Sequence, residues 1–318
     1  MRAAQIHACG EPPVVAERPA PVPGPGEVLV EVLAAPITPL DLLCATGTSY
    51  FGTPPTPYVP GVQGVGTTGG RTVWFPTTAG MAPGDGSMAE LAAVRESELV
   101  ELPPGADPVA VAALGLSAVA AHQALGRRGG LEAGEQVIVL GAGGTVGQAA
   151  VQLARLAGAR RVVAAARSAT ARERAARAGA DAVVPLDTDD VGELAARFSA
   201  VLDGPADLVL DPLFGVPAAA AARVLRPGGR LVNLGGSASE TSPIDSSTLR
   251  GRSLSLLGYT NNELTPGRRA AAITEIAEHS AHGRLSVVHE TIALDDAGSA
   301  WRRQAVGAPS GRIVLSVR

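Results

Sequence analysis

Strand-like and helix-like segments alternate from about residue 113 onward, which predicts an α/β chain built on a doubly wound parallel sheet. Two further observations agree. A glycine-rich turn stands between an apolar strand run and an amphipathic helix. The length of 318 residues exceeds what one hydrophobic core usually fills and calls for a second domain. That domain is mostly β, because residues 1 to about 112 read as short strands punctuated by turns.

Glu27–Leu33 (EVLVEVL) alternates polar and apolar residues, the period-two signal of a half-buried strand. Gly47–Gly70 is rich in proline and glycine. Proline cannot donate to a sheet ladder and breaks helix, so this stretch reads as loop, suited to a cleft wall. Val109–Leu125 is Ala- and Leu-rich with helical spacing. The alternation then runs through Gln136–Leu140, Val146–Ala157, Arg161–Ala166, Ala171–Ala178, Ala182–Pro185 and Leu208–Leu210. It continues with Pro217–Leu225, Arg230–Leu234 and Leu254–Gly258. Arg268–His282 has the spacing of one more amphipathic helix, and Leu285–Ile292 and Arg312–Val317 return to strand texture.

Composition narrows the function classes. Net charge is −4 and the pI about 5.8, so the chain shows no sign of a general binder of nucleic-acid phosphates. The two cysteines, Cys9 and Cys44, cannot build a disulfide framework and fit a reducing, cytoplasmic location. The start, MRAAQIHACGEPP, lacks the apolar core of a signal peptide, and no run of about 18 apolar residues predicts a membrane span.

The strand run Gln136–Leu140 (QVIVL) leads directly into Gly141-Ala142-Gly143-Gly144-Thr145-Val146-Gly147 and then into the helix pattern AAVQLARLAGA. Glycines there allow a tight turn and the close approach of a pyrophosphate, whose charge rests on free N–H groups at the helix start. Strand, glycine turn, helix and second strand together make this a Rossmann dinucleotide loop. The second strand ends at Ala166. An NAD-binding domain carries Asp or Glu at this distance to hold the ribose 2′-hydroxyl, but here Arg167 and Ser168 follow, with Arg172 one turn on. A guanidinium fork with a hydroxyl beside it suits a 2′-phosphate, so the cofactor expected is NADPH.

With these residues in hand, the sequence resembles the medium-chain dehydrogenase/reductase superfamily, and within it the quinone oxidoreductase-like branch. The likeness runs through PGPGEVLVEV, PLDL at Pro39–Leu42, PYVPGVQGVG at Pro57–Gly66 and GSMAEL at Gly86–Leu91. It continues in the glycine loop, DLVLDPLFG and LRPGGRLVNLGG at Leu225–Gly236. The resemblance implies a GroES-like, mostly-β catalytic domain at 1–112 and 265–318 around an inserted Rossmann domain at 113–264. It also places Leu234 and Gly235 along the cofactor. Thr38 stands where many quinone reductases have an Asn that touches the nicotinamide ribose or the substrate, and Ala120 where they commonly have Thr. Tyr50, in GTSYFGTPP, matches a Tyr on the cleft loop of relatives, a candidate proton donor whose alternative role is a loop anchor.

Zinc members of the superfamily carry a Cys where this chain has Thr38, and Gly-His-Glu where it has Gly61-Val62-Gln63. The four-cysteine lobe is missing, so no metal site is expected. Without a metal to polarise a carbonyl, the resemblance implies hydride transfer to a quinone or an enone, a small-molecule substrate. Two alternatives stay open: an enoyl-thioester reductase of a biosynthetic pathway, and a non-catalytic NADP-binding protein. Relatives pair an edge strand of each nucleotide sheet across a two-fold axis, and Ser253–Leu257 (SLSLL) has the apolar β-character for such a homodimer.

Overall fold

The computed structural model describes residues 1–307 and 311–317. The chain forms two compact units, Met1–Gly115 with Thr265–Arg318, and Leu116–Leu264. Its first part carries strands β1 (Arg2–Gln5), β2 (Val14–Glu17) and β3 (Glu27–Pro36), then helix α1 (Pro39–Ala45). Strands β4 (Gln63–Thr68), β5 (Arg71–Pro76), β6 (Leu91–Arg95) and β7 (Val100–Glu101) follow, and helix α2 is Pro108–Gln123.

The second unit alternates strictly. Strands β8 (Gln136–Val139), β9 (Arg161–Ala166), β10 (Ala182–Pro185) and β11 (Ala206–Asp211) are joined by helices α3 (Thr145–Leu156), α4 (Ala169–Arg177) and α5 (Val191–Val201). Helix α6 (Gly215–Ala222), strand β12 (Leu225–Asn233), helix α7 (Ser246–Gly251) and strand β13 (Ser255–Gly258) complete it. The chain then returns to the first unit with α8 (Pro266–Ala281), β14 (His289–Ala293), α9 (Ala297–Ala305) and β15 (Arg312–Ser316).

In the second unit the six strands are all parallel, in the order β10-β9-β8-β11-β12-β13. Helical crossovers cover the faces, so the central strands are buried on both sides and read as continuous apolar runs such as Val137-Ile138-Val139. Ile138, Val163, Leu194, Phe198, Val209 and Leu225 share one core. The order reverses between β8 and β11, the switch point at which such sheets bind ligands beyond their strand carboxyl ends.

In the first unit β3 is the hub, pairing with β15, β4 and β6, all antiparallel. The expected alternation holds: Val30 and Val32 face the core with Phe75, Met88 and Ile313, while Leu29 and Glu31 face outward. Strand β15 lies against Ala34–Pro36, which ties the C-terminal segment into this sheet.

Four local readings change. The end of the Gly47–Gly70 stretch is strand β4, not loop. Its glycines answer a close crossing, since a Cβ on Gly66 would stand 2.4 Å from the Glu31 carbonyl oxygen beside a bulge in β3. The helix read at Val109–Leu125 is bent: Gly115 takes φ 32°, ψ −135°, and a Cβ there would meet the Gln63 side chain. Pro108–Arg128 has the length and apolarity of a membrane span, but it is interrupted at this bend and 61% buried, as a core helix is. Leu285–Val288 is not strand, because β14 begins only at His289. Helix α5, unread in the sequence, is capped by Asp190, whose carboxylate accepts from Glu193 N–H.

At the amino ends of the parallel strands sits an ion network. Arg230 donates to Glu135 Oε1 and Oε2 at 2.6 and 2.8 Å, and Arg226 joins Glu135 to Asp207. The Glu135 side chain is 12% exposed. Burial alone would raise its carboxyl, but Arg230, the Glu132 N–H and Arg226 outweigh that and hold it below the usual range. A depressed carboxyl stabilises the fold above its unfolded value and loses that contribution as pH falls through the folded one. Glu135→Gln should therefore lower the unfolding free energy by roughly 1–2 kcal/mol at neutral pH. Urea melts of both proteins should show the gap narrowing as the buffer is taken toward pH ~3, below the ordinary Glu range.

Candidate cofactor and active site

The carboxyl ends of β8, β9, β11 and β12 bring most of the expected cofactor residues to one edge of the sheet. Gly141 leaves β8 with φ 61°, a left-handed conformation that favours glycine. Gly144 N–H closes the turn on the Gly141 carbonyl at 3.0 Å, and Gln148 Nε2 donates to the Gly143 carbonyl at 2.9 Å. Two glycines are required by contact alone. A Cβ on Gly143 would lie 2.3 Å from Ala171 Cβ in α4, and one on Gly147 would lie 2.4 Å from Ala142 Cα. Gly144 is the N-cap of α3 and offers no side-chain acceptor, so the helix starts with N–H groups open to an anion. Gly144 is exposed there, and Thr145 and Val146 are half-buried.

Strand β9, paired to β8, ends one residue before exposed Arg167. Ser168 is the N-cap of α4, its hydroxyl accepting from Ala171 N–H at 3.2 Å. Arg172 turns back to donate to the Arg167 carbonyl at 2.6 Å. Leu234 directly follows β12, and its N–H donates to the Asp211 carbonyl at 2.9 Å. A Cβ on Gly235 would stand 3.0 Å from the Pro212 carbonyl oxygen. This edge therefore holds a helix start open to a pyrophosphate and a cationic end at β9.

Thr38 and Tyr50 belong to the other unit. Thr38 is buried as the N-cap of α1, in a capping box with Asp41. Its hydroxyl donates to Asp41 Oδ2 at 2.6 Å and accepts from Asp41 N–H at 3.2 Å. The other carboxylate oxygen of Asp41 accepts from the N–H groups of Gly61 and Val62 at 3.1 and 2.9 Å. Burial pushes the Asp41 carboxyl up, and the Thr38 and Val62 hydrogen bonds with the Arg312 charge pull against it. Buried Arg312 in turn donates to the Ile37 carbonyl at 2.8 Å. The sequence reading misses the Thr38–Asp41 capping box, although Thr38-Pro39-Leu40-Asp41 carries its spacing.

Where a catalytic zinc would need ligands, the side chains are otherwise engaged. Thr38 is tied to Asp41, Val62 is apolar and buried, and the Gln63 amide oxygen accepts from Trp74 Nε1 at 3.0 Å. Among the described residues, no three His, Cys, Asp or Glu side chains gather as a metal site. These residues do not fit zinc.

Tyr50 is 74% exposed, in a loop closed by Gly52 N–H on the Ser49 carbonyl and Thr53 Oγ1 on the Gly47 carbonyl. Its ring lies 4.3 Å from that of Phe51, centroid to centroid. Tyr58, by contrast, is buried, and burial pushes its phenol well up.

Residues 145–278 match the family model described as zinc-binding dehydrogenase. The spectinabilin polyketide synthase system protein NorB of Streptomyces orinoci is 32% identical over 92% of this chain and 13% of its own length. Human quinone oxidoreductase is 33% identical over 50% of each chain. This chain thus spans about half or less of these curated relatives. The solved quinone oxidoreductase of Thermus thermophilus, described with its NADPH complex, is 30% identical and superposes with a TM-score of 0.81 over 100% of both chains. Matched over the full length of both chains at 30% identity, and carrying a glycine loop on a parallel sheet, this chain belongs to the medium-chain dehydrogenase/reductase superfamily, in its quinone oxidoreductase-like branch.

Proposed function

We propose that the chain is a zinc-independent, NADPH-dependent oxidoreductase that passes a hydride to a quinone or to the activated C=C bond of an enone. The observation that carries this is the cationic end of β9 beside an uncapped α3, where an NAD enzyme would carry a carboxylate. The NADPH named with the Thermus thermophilus enzyme supports the same cofactor.

When bound, NADPH supplies the hydride. The N–H groups at the start of α3 would hold the pyrophosphate, and glycine at 143 and 147 keeps the loop tight against α4 and Ala142. Arg167 and Ser168 would hold the 2′-phosphate, one through its guanidinium fork and the other through its hydroxyl. The Tyr50 phenol gives its proton to the oxygen that becomes anionic as the double bond is reduced. The absence of fitting zinc ligands supports an acceptor that is already electron-poor at carbon.

A second reading, an enoyl-thioester reductase of a biosynthetic pathway, is supported by the match of 92% of this chain within NorB, a polyketide synthase system protein. For assembly we propose a homodimer through β13, which is the edge of the parallel sheet and exposes Leu256.

NADPH oxidation followed with quinones, enones and crotonyl thioesters, with and without a chelator, tests the function. Turnover of quinones or enones is expected, unaffected by chelation. Turnover of thioesters alone would select the second reading, and no turnover at all would defeat both.

NADPH should bind at least tenfold more tightly than NADH, since charge-assisted bonds contribute about 1.5–3 kcal/mol each. Titration of Arg167→Ala should show that preference largely gone, and equal affinities in the wild type would refute it.

Tyr50→Phe should lower kcat on enones on the order of a hundredfold, with little change in NADPH affinity and a smaller loss on quinones. Wild-type kcat on both classes would return Tyr50 to an anchoring role.

Light scattering at micromolar concentration should give twice the chain mass of 31.9 kDa, and a monomer would overturn the β13 pairing.

A further inference from the structure

We propose that Asp211 is a positioning residue for the cofactor edge, a buried carboxylate that locks the turn after β11 and the segment after β12 into one arrangement. The proposal rests on the NADPH function above. Asp211 ends β11, is fully buried, and pairs in register with Asn233, the last residue of β12. Its Oδ1 accepts from the N–H groups of Leu213 and Phe214 at 2.9 and 2.8 Å. Its Oδ2 accepts from Asn233 Nδ2 at 3.0 Å, and the same amide donates to the Gly235 carbonyl at 2.9 Å.

Both segments held in this way border expected cofactor residues. A Cβ on Gly141 would lie 3.0 Å from Leu213 Cδ2 and 3.2 Å from Pro212 Cγ, so the turn is one wall of the glycine loop. The Pro212 carbonyl in turn limits the space at Gly235.

The turn is strained. Phe214 takes φ 58°, ψ −154°, a region nearly restricted to glycine, and α6 begins there without a side-chain cap. A single side-chain oxygen gathering two adjacent N–H groups anchors the turn through both of them. Burial pushes this carboxyl up, and the Asn233, Phe214 and Leu213 donors pull against it. Asp211 acts on the cofactor only through these neighbours.

The test measures two ligands, NADPH and adenosine 2′-monophosphate, a fragment that reaches the Arg167 end but has neither the pyrophosphate nor the nicotinamide half. Asp211→Asn keeps an acceptor for the turn but sets an amide N–H against the Asn233 amide, so a contact to Asn233 or Gly235 is lost. It should weaken NADPH at least tenfold and leave the monophosphate within about twofold of wild type. Asp211→Ala, which also frees the turn, should weaken NADPH further; if that variant does not fold, Asp211→Asn decides the matter alone. Unchanged NADPH affinity in Asp211→Asn, or equal loss of both ligands, overturns the proposal. Wild-type protein that binds neither ligand instead defeats the NADPH function itself, and the proposal with it.

Discussion

The cofactor half of this protein depends on a contact that leaves no room for a side chain. At Gly147, helix α3 rests on the backbone of Ala142, and at Gly143 the loop rests on Ala171 of α4. These approaches fix the distance from α3 to β8 and from the loop to α4, so the helix start points beyond the strand ends. Interiors are packed too densely to absorb even one added methyl group here without moving a backbone. The open N–H groups of α3 and the start of α4 take their positions from that spacing.

The same physical device fastens the loops in each unit. Asp41 and Asp211 are buried carboxylates at the end of a regular element, and each collects N–H groups from a neighbouring segment. A buried polar group is stable only when its hydrogen bonds are made, so each carboxyl holds its loop in the arrangement that supplies them. Asp41 joins the segment at Thr38 to Gly61–Val62, which in zinc relatives carry metal ligands. Here, hydrogen bonding to a side chain links the two segments that a metal ion links there.

The features legible in the sequence are those set by short-range pattern. The α/β alternation, the glycine loop and the two-residue period of β3 each depend on neighbours a few positions away. What escapes is set by contacts distant in the chain. Strand β4 looks like a loop because Gly64 and Gly66 are there to let β3, β5 and Ser87 come close. The bend at Gly115 answers the Gln63 side chain, fifty-two positions earlier. Helix α5 carries a readable cap at Asp190, and the Thr38–Asp41 box is equally visible, so neither is hidden by distance. The pairing of Asp211 with Asn233 cannot be read, since it follows only from the register of two parallel strands.

The two edges of the parallel sheet differ in how their arginines are held. At the amino edge, Arg226 and Arg230 are bound into the network with Glu135 and Asp207, and replacing one strands its partners. At the carboxyl edge, Arg167 stands exposed in a loop position, outside that network. Sequence drift at this residue meets little resistance from the fold; with the role proposed for Arg167, a lineage can exchange one nicotinamide coenzyme for the other here without first acquiring compensating changes. The sheet is thus conservative along one margin and evolvable along the other.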